Sequence, residues 1–147
     1  MADSPTSLAV SLFSEILAVD QLARHSVAKV LPKGMELSHF SVLNHLAYTA
    51  AERSPTQLAK TFHLTRGAMT NTLHKLERAG WVHIRPDWDD ARRKMVSISP
   101  SGLAARDTAI AAIAPVIAEA VAQVGEEKVR IALPVLREMR LKLGQID

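Results

Sequence analysis

Apolar positions recur at helical spacing through most of the chain and alternate with a period of two in one short stretch. Leu8, Leu12, Ile16, Val19, Ala23 and Val27 form a stripe behind Ser4 and Pro5, an N-cap and first-turn proline. They predict a first helix of roughly 25 residues, ending near Leu31, where Pro32 and Gly34 intervene. At 1.5 Å per residue such a helix is roughly 37 Å long, more than one small domain needs to cover its core. The excess predicts a partner subunit.

Ser38 is the expected cap of a second helix, with Phe40, Leu43 and Leu46 or Ala47 facing inward. Ser54-Pro55-Thr56-Gln57 has the form of a capping box and opens a short third helix packed by Leu58, Ala59 and Phe62. His63-Leu64 then turns into Thr65 without the glycine often found in such turns. Thr65 is a good N-cap, and Met69, Leu73 and Leu76, with Thr72 beside them, put one stripe of the helix over 65–79 against a core. Gly80 stops that helix. Trp81 to Arg85 and Lys94 to Ser99 alternate in strand fashion, with Val82, Ile84, Val96 and Ile98 on one side, and predict a hairpin with its tip at Pro86 to Arg93. Beyond it, Ser99-Pro100 caps an alanine-rich helix to Val124 with Pro115 inside, where a kink or local break is expected. Gly125 and Glu126 separate it from a last helix, Glu127 to Leu143, which carries another internal proline, Pro134. The fold class expected is mainly α with a small β-hairpin wing: a winged helix-turn-helix plus a terminal-helix dimerisation region. The divisions are 1–34 for an N-terminal dimerisation helix, 35–99 for the winged helix-turn-helix and 100–147 for C-terminal dimerisation helices.

The outer face of the helix over 65–79 carries Gly67, Asn71, His74 and Arg78, flanked by Thr70 and Lys75. A solvated face would favour Glu, Lys and Gln. This one offers a hydroxyl, an amide, an imidazole, cations and a glycine, groups that can hydrogen-bond base edges and phosphates in a major groove. A solvated face is the plainer alternative from the helix alone. At the hairpin tip, Asp87, Asp89, Asp90, Arg92 and Arg93 mix charges. An arginine held by a neighbouring carboxylate can be aimed into a narrow minor groove, and Arg92 oriented by Asp90 is the expected pair.

Charge distribution strengthens this reading. Net charge is +3, yet residues 53–94 hold nine Lys or Arg against four Asp or Glu, so the rest of the chain is net negative. With only six aromatic residues, base stacking on aromatic platforms is disfavoured. The absence of cysteine excludes disulfides and zinc-thiolate sites within the chain. The N-terminal MADSPTSL lacks a basic n-region, and by this reading no apolar run approaches the ~20 residues of a membrane span, so a cytoplasmic, membrane-free protein is expected. No cofactor is expected.

LSHFSVLNHLA, SPTQLAKTFHLTRGAMTNTLHKLERAGWV and the wing RPDWDDARRKMVSIS followed by PSG together resemble the MarR family of bacterial transcriptional regulators. The resemblance spans nearly the whole chain and is most specific in the helix over 65–79 and in Asp90-Ala91-Arg92. It implies a homodimer on pseudo-palindromic double-stranded operator DNA, usually a repressor, with recognition helices in major grooves and wing arginines in flanking minor grooves. By motif position it assigns groove or phosphate contacts to Thr65, Arg66, Thr70, Asn71 and Lys75, and the wing-tip contact to Arg92. Ala91 departs from a pattern that often has a second arginine; Arg93 is the nearest substitute. Release by a small lipophilic or anionic effector, bound between the dimer helices and the winged domain, is also implied, with Arg24, His39 and His45 as possible lining residues. Peroxide-sensing members need a cysteine, which is missing, and zinc-sensing members use histidines after the wing, where residues 95–147 have none. Glu36, His39 and His45 could form a metal site on spacing alone.

An enzyme is disfavoured, since neither a GxGxxG nor a P-loop occurs and the histidines are scattered. The remaining alternative is a winged-helix protein-interaction module without DNA binding. Such a face would more often show apolar or aromatic anchors.

Overall fold

The computed structural model describes residues 4–145, so the ends of the expected terminal divisions, 1–3 and 146–147, lie outside the described residues. Six helices and one hairpin follow in order: α1 (Pro5–Ala28), α2 (Leu37–Thr49), α3 (Pro55–Thr61), α4 (Arg66–Arg78), β1 (Val82–Pro86), β2 (Lys94–Ile98), α5 (Pro100–Val124) and α6 (Glu126–Leu143). This is the mainly helical, winged architecture expected from the pattern.

Local chemistry explains most of the starts. Ser4, Ser54, Thr65 and Ser99 each accept a hydrogen bond from the backbone N–H three residues on, at 2.9–3.1 Å. Gln57 Oε1 accepts in return from the Ser54 N–H at 2.8 Å and completes the capping box. The expected Ser38 cap is corrected. α2 starts earlier, at Leu37 behind Glu36, because the Glu36 N–H donates to His39 Nδ1 at 3.0 Å. His39 thus fills the role usually taken by Glu or Gln at the third helical position.

The helix-turn-helix bend also has a local cause. His63 takes φ +53°, its N–H donates to the Lys60 carbonyl at 3.2 Å, and the Leu64 N–H donates to the Ala59 carbonyl at 2.9 Å. A histidine therefore occupies the left-handed position that a glycine commonly takes. At the end of α4, Gly80 does take it, at φ +80°, with the Gly80 N–H on the Glu77 carbonyl and the Trp81 N–H on the Leu76 carbonyl.

The core lies between α2, α3, α4 and the hairpin. Leu43, Leu46, Leu58, Met69, Leu73, Leu76 and Val96 are fully buried there, and Val82 and Ala109 close its edges. Each such large aliphatic side chain contributes about 1.5–3 kcal/mol by leaving water. β1 and β2 pair antiparallel with Val82 opposite Ile98 and Ile84 opposite Val96, so the apolar side of the wing meets this core. The loop before α3 adds a third edge, since Arg53 exchanges both backbone hydrogen bonds with Val96.

One small junction ties the wing to the long helix behind it. Ser99 donates from its N–H to the Trp81 carbonyl at 3.0 Å and from its hydroxyl to the Gly80 carbonyl at 2.6 Å. Gly102, in the first turn of α5, packs so closely that a Cβ would lie 1.9 Å from the Trp81 carbonyl oxygen. Only a glycine fits this approach.

α1 and α6 leave most of their apolar surface uncovered. Of α1 only Val27 is buried, whereas Leu8, Phe13, Leu17 and Leu22 are exposed; α6 buries no residue. Two expectations are corrected here. The helix expected to kink or break locally at Pro115 runs unbroken from Pro100 to Val124, and the last helix likewise passes through Pro134, from Glu126 to Leu143. Both prolines and the residues four positions before them, Ala111 and Arg130, are exposed, so solvent can hydrate each released carbonyl. In addition, α1 and α5 are each long and apolar enough to cross a membrane by length and composition. α1 nevertheless carries Glu15, Asp20 and Arg24, and α5 carries Arg106, Asp107 and Glu119, charges that are costly in hydrocarbon.

Candidate nucleic-acid interface

α4 turns a broad polar, exposed face away from its buried stripe of Met69, Leu73 and Leu76. Arg66, Thr70 and His74 face the wing and line a groove of about 670 Å³ between α4, the start of α3 and the hairpin. Gly67, Asn71, Lys75 and Arg78 are exposed on the helix but do not line this groove. Thr65 is also exposed, and its hydroxyl oxygen is committed to the cap, accepting from the Ala68 N–H at 3.1 Å.

The far wall of the groove includes Arg92, Arg93 and Lys94. Arg92 Nε donates to Asp90 Oδ1 at 3.1 Å and Arg92 Nη2 to Asp90 Oδ2 at 3.3 Å, while the Arg92 N–H also donates to Asp90 Oδ1. The Arg92 side chain remains 91% exposed. A guanidinium gripped from behind and open in front is pre-oriented, so less freedom is lost when it meets an acceptor. The Arg92 hydrogen bonds, with Arg93 nearby, hold the Asp90 carboxyl below its ordinary range. Arg93 lies 3.7 Å from Asp87 and is half exposed. The tip is closed by the Asp87 N–H on the Arg93 carbonyl and the Arg93 N–H on the Asp90 carbonyl, at 3.0 and 2.9 Å.

Sequence reasoning missed three charged members of the groove: Glu77, Arg85 and Lys94. Glu77 and Lys94 could have been found from helical and strand spacing. Arg85 could not, because its partner Glu52, at 2.6 Å, is 33 residues away. The Glu52 hydrogen bond, outweighing partial burial, raises the Arg85 pKa above its ordinary value.

Residues 33–93, which contain α2 to α4 and most of the wing, match the model of the MarR family. The match covers the central winged unit. No curated protein matches the chain at the sequence level. Solved MarR-type structures share its fold over nearly its whole length. A cysteine-substituted MarR from E. coli complexed with operator DNA is 22% identical, with 93% of this chain and 99% of that one covered and a TM-score of 0.75. The transcriptional regulator BldR from Sulfolobus solfataricus is 23% identical over 92% and 99% of the two chains, with a TM-score of 0.76. A MarR-family regulator from Rhodococcus sp. RHA1 is 21% identical over 94% and 96%, with a TM-score of 0.78. At these identities the likeness establishes the MarR fold.

The three residues considered for an effector cleft separate in the structure. His45 lines a second cleft of about 770 Å³, with Phe40, Tyr48, Phe62 and Arg140, where its ring meets Phe62 edge-on at 5.5 Å. Arg24 instead pairs with Asp20 at 3.0 Å, and His39 is buried in its capping role. Burial lowers the His39 pKa, with Glu36 opposing and Lys75 assisting. Glu36, His39 and His45 do not form a metal cluster; among the described residues no group of three or more potential His, Asp or Glu ligands occurs.

Proposed function

We propose that the chain is a sequence-specific double-stranded DNA-binding transcriptional regulator, acting as a repressor. The observation that carries this reading is the pairing of an exposed polar α4 face with a wing arginine that Asp90 holds in place while its guanidinium stays open to solvent. α4 would enter a major groove with Asn71, Lys75 and Arg78 towards bases and phosphates, and Arg92 would enter the flanking minor groove. The similar E. coli structure complexed with operator DNA supports duplex DNA as the partner. Asp90 serves as an orienting group, and Arg93 as a phosphate contact.

The uncovered apolar faces of α1 and α6 support a homodimer through the terminal helices, which would place two α4 helices about one DNA turn apart. The cleft beside Phe62, with aromatic walls and Arg140 at its rim, is a suitable place for a lipophilic anion that releases the operator.

The test is a titration of the purified protein against duplex DNA from its own upstream region and against a scrambled duplex, at two salt concentrations. Preference for the native duplex is expected, or for one recovered from random duplexes if the operator lies elsewhere, with log affinity falling against log salt at about −0.9 per neutralised phosphate. Weak, salt-insensitive binding to every duplex would overturn the reading in favour of a protein-interaction module.

A further inference from the structure

Arg85 of β1 is held on three sides. Its Nη2 donates to Glu52 Oε1 at 2.6 Å, its Nη1 donates to the Pro86 carbonyl at 2.7 Å, and the Trp88 ring lies against its Cζ at 4.4 Å from the ring centroid. Glu52 is in the loop between α2 and α3, and its neighbour Arg53 is bonded through both backbone groups to Val96 of β2, at 3.0 and 2.7 Å. That loop therefore grips the wing twice, by main chain on one strand and by a carboxylate on the other.

Trp88 has no role in the core. It is 80% exposed, in the wing tip, four residues before Arg92. The tip is internally closed by its own backbone hydrogen bonds, so it moves as a unit. Its direction relative to the helix-turn-helix then depends on what reaches back from it, and the indole stacked on Arg85 does so. Arg85 is only about a third exposed and already neutralised by Glu52. It is poorly suited to be a phosphate contact and well suited to be a fixed post on which an aromatic face rests.

We propose that Glu52, Arg85 and Trp88 form a brace that sets the angle of the wing tip against the helix-turn-helix, making them positioning residues for Arg92. The proposal rests on the DNA-binding reading above. It assigns Trp88 an indirect effect on the sequence flanking the operator half-site, transmitted through Arg92 and not through a contact of its own.

The experiment compares the full-length protein with Trp88→Ala, Trp88→Phe, Glu52→Gln, Arg92→Ala and the Trp88→Ala/Arg92→Ala double variant. Each is titrated against operator duplexes whose flanks are A·T-rich or G·C-rich. Trp88→Ala and Glu52→Gln should each lose roughly two- to fivefold in preference between the flanks, the factor equivalent to an exposed cation–π contact, with thermal stability retained. Trp88→Phe, which keeps an aromatic face, should restore it. The double variant should be no worse than Arg92→Ala, because both changes remove the same interaction. Additive losses would overturn the brace by making Trp88 a direct contact, and native flank preference in both Trp88→Ala and Glu52→Gln would overturn it outright. Failure of the native protein to bind any duplex would instead sink the DNA reading itself, and the brace with it.

Discussion

Asn71 and Arg92 probe opposite ends of the proposed interface, one on the exposed flank of α4 and one on the wing. Asn71→Ala should cost about 1–3 kcal/mol of discrimination at one base pair if the amide makes a bidentate base contact, whereas an equal loss on operator and random DNA would make it a phosphate contact. Arg92→Ala should weaken binding and relax the flanking preference while the oligomeric state holds; unchanged operator affinity would refute its role. Gly102 answers to packing alone. Gly102→Ala must displace the Trp81 carbonyl, so a loss of about 1–3 kcal/mol in denaturant-induced unfolding is expected. The residues that sequence reasoning placed well are those whose partners are close along the chain. Ser54 and Thr65 find their N–H donors three residues on, and Asp90 finds Arg92 two residues on. Glu52 and Arg85 meet only because the fold brings a loop beside a strand, and nothing in their spacing announces it.

Among the elements, α2 has the least usual start. Its first N–H depends on an imidazole nitrogen that must be unprotonated to accept, and burial lowers the His39 pKa in keeping with that demand. Since the folded pKa lies below the ordinary 6.5, this contribution is complete above that value and declines as pH falls from 6.5 through the folded pKa. His39→Gln supplies a non-titrating acceptor, so thermal unfolding followed from pH 8 down to about 5 should lose part of its acid-side decline. An identical profile in both proteins would refute the role. The same element shows why its boundary was misread: Ser38 is a better cap by residue type, but Glu36 and His39 have the geometry. α5 gives the converse lesson: Pro115 predicts a kink or break by residue type, but its surroundings are open to water and the helix continues. The helices over 65–79 and 100–124 were legible from periodicity because each buries a distinct stripe or shares small residues; β1 and β2 were legible from alternation across one core face.

For the whole molecule, the proposed assembly rests on the terminal helices. Phe13 and Leu17 lie one turn apart on α1 and are 62% and 52% exposed in the protomer. Under the proposed pairing, Phe13→Glu with Leu17→Glu should shift sedimentation from dimer to monomer and reduce operator affinity more than it reduces the stability of the winged core. A protein that sediments unchanged would show that these faces do not pair. The length of α1 raises the expectation of an intersubunit role, while the covering of each face is not legible, since helical periodicity tells which residues share a stripe and says nothing of which chain the stripe meets. The junction at Gly80 and Trp81 adds a mechanical property. The end of α4 and Ser99, the N-cap of α5, both bond to Gly80 and Trp81, and Gly102 leaves them no space to slide. Together they act as the fulcrum of a crank: a rotation of about 3° there swings the far end of α5, roughly 37 Å away at 1.5 Å per residue, by about 2 Å.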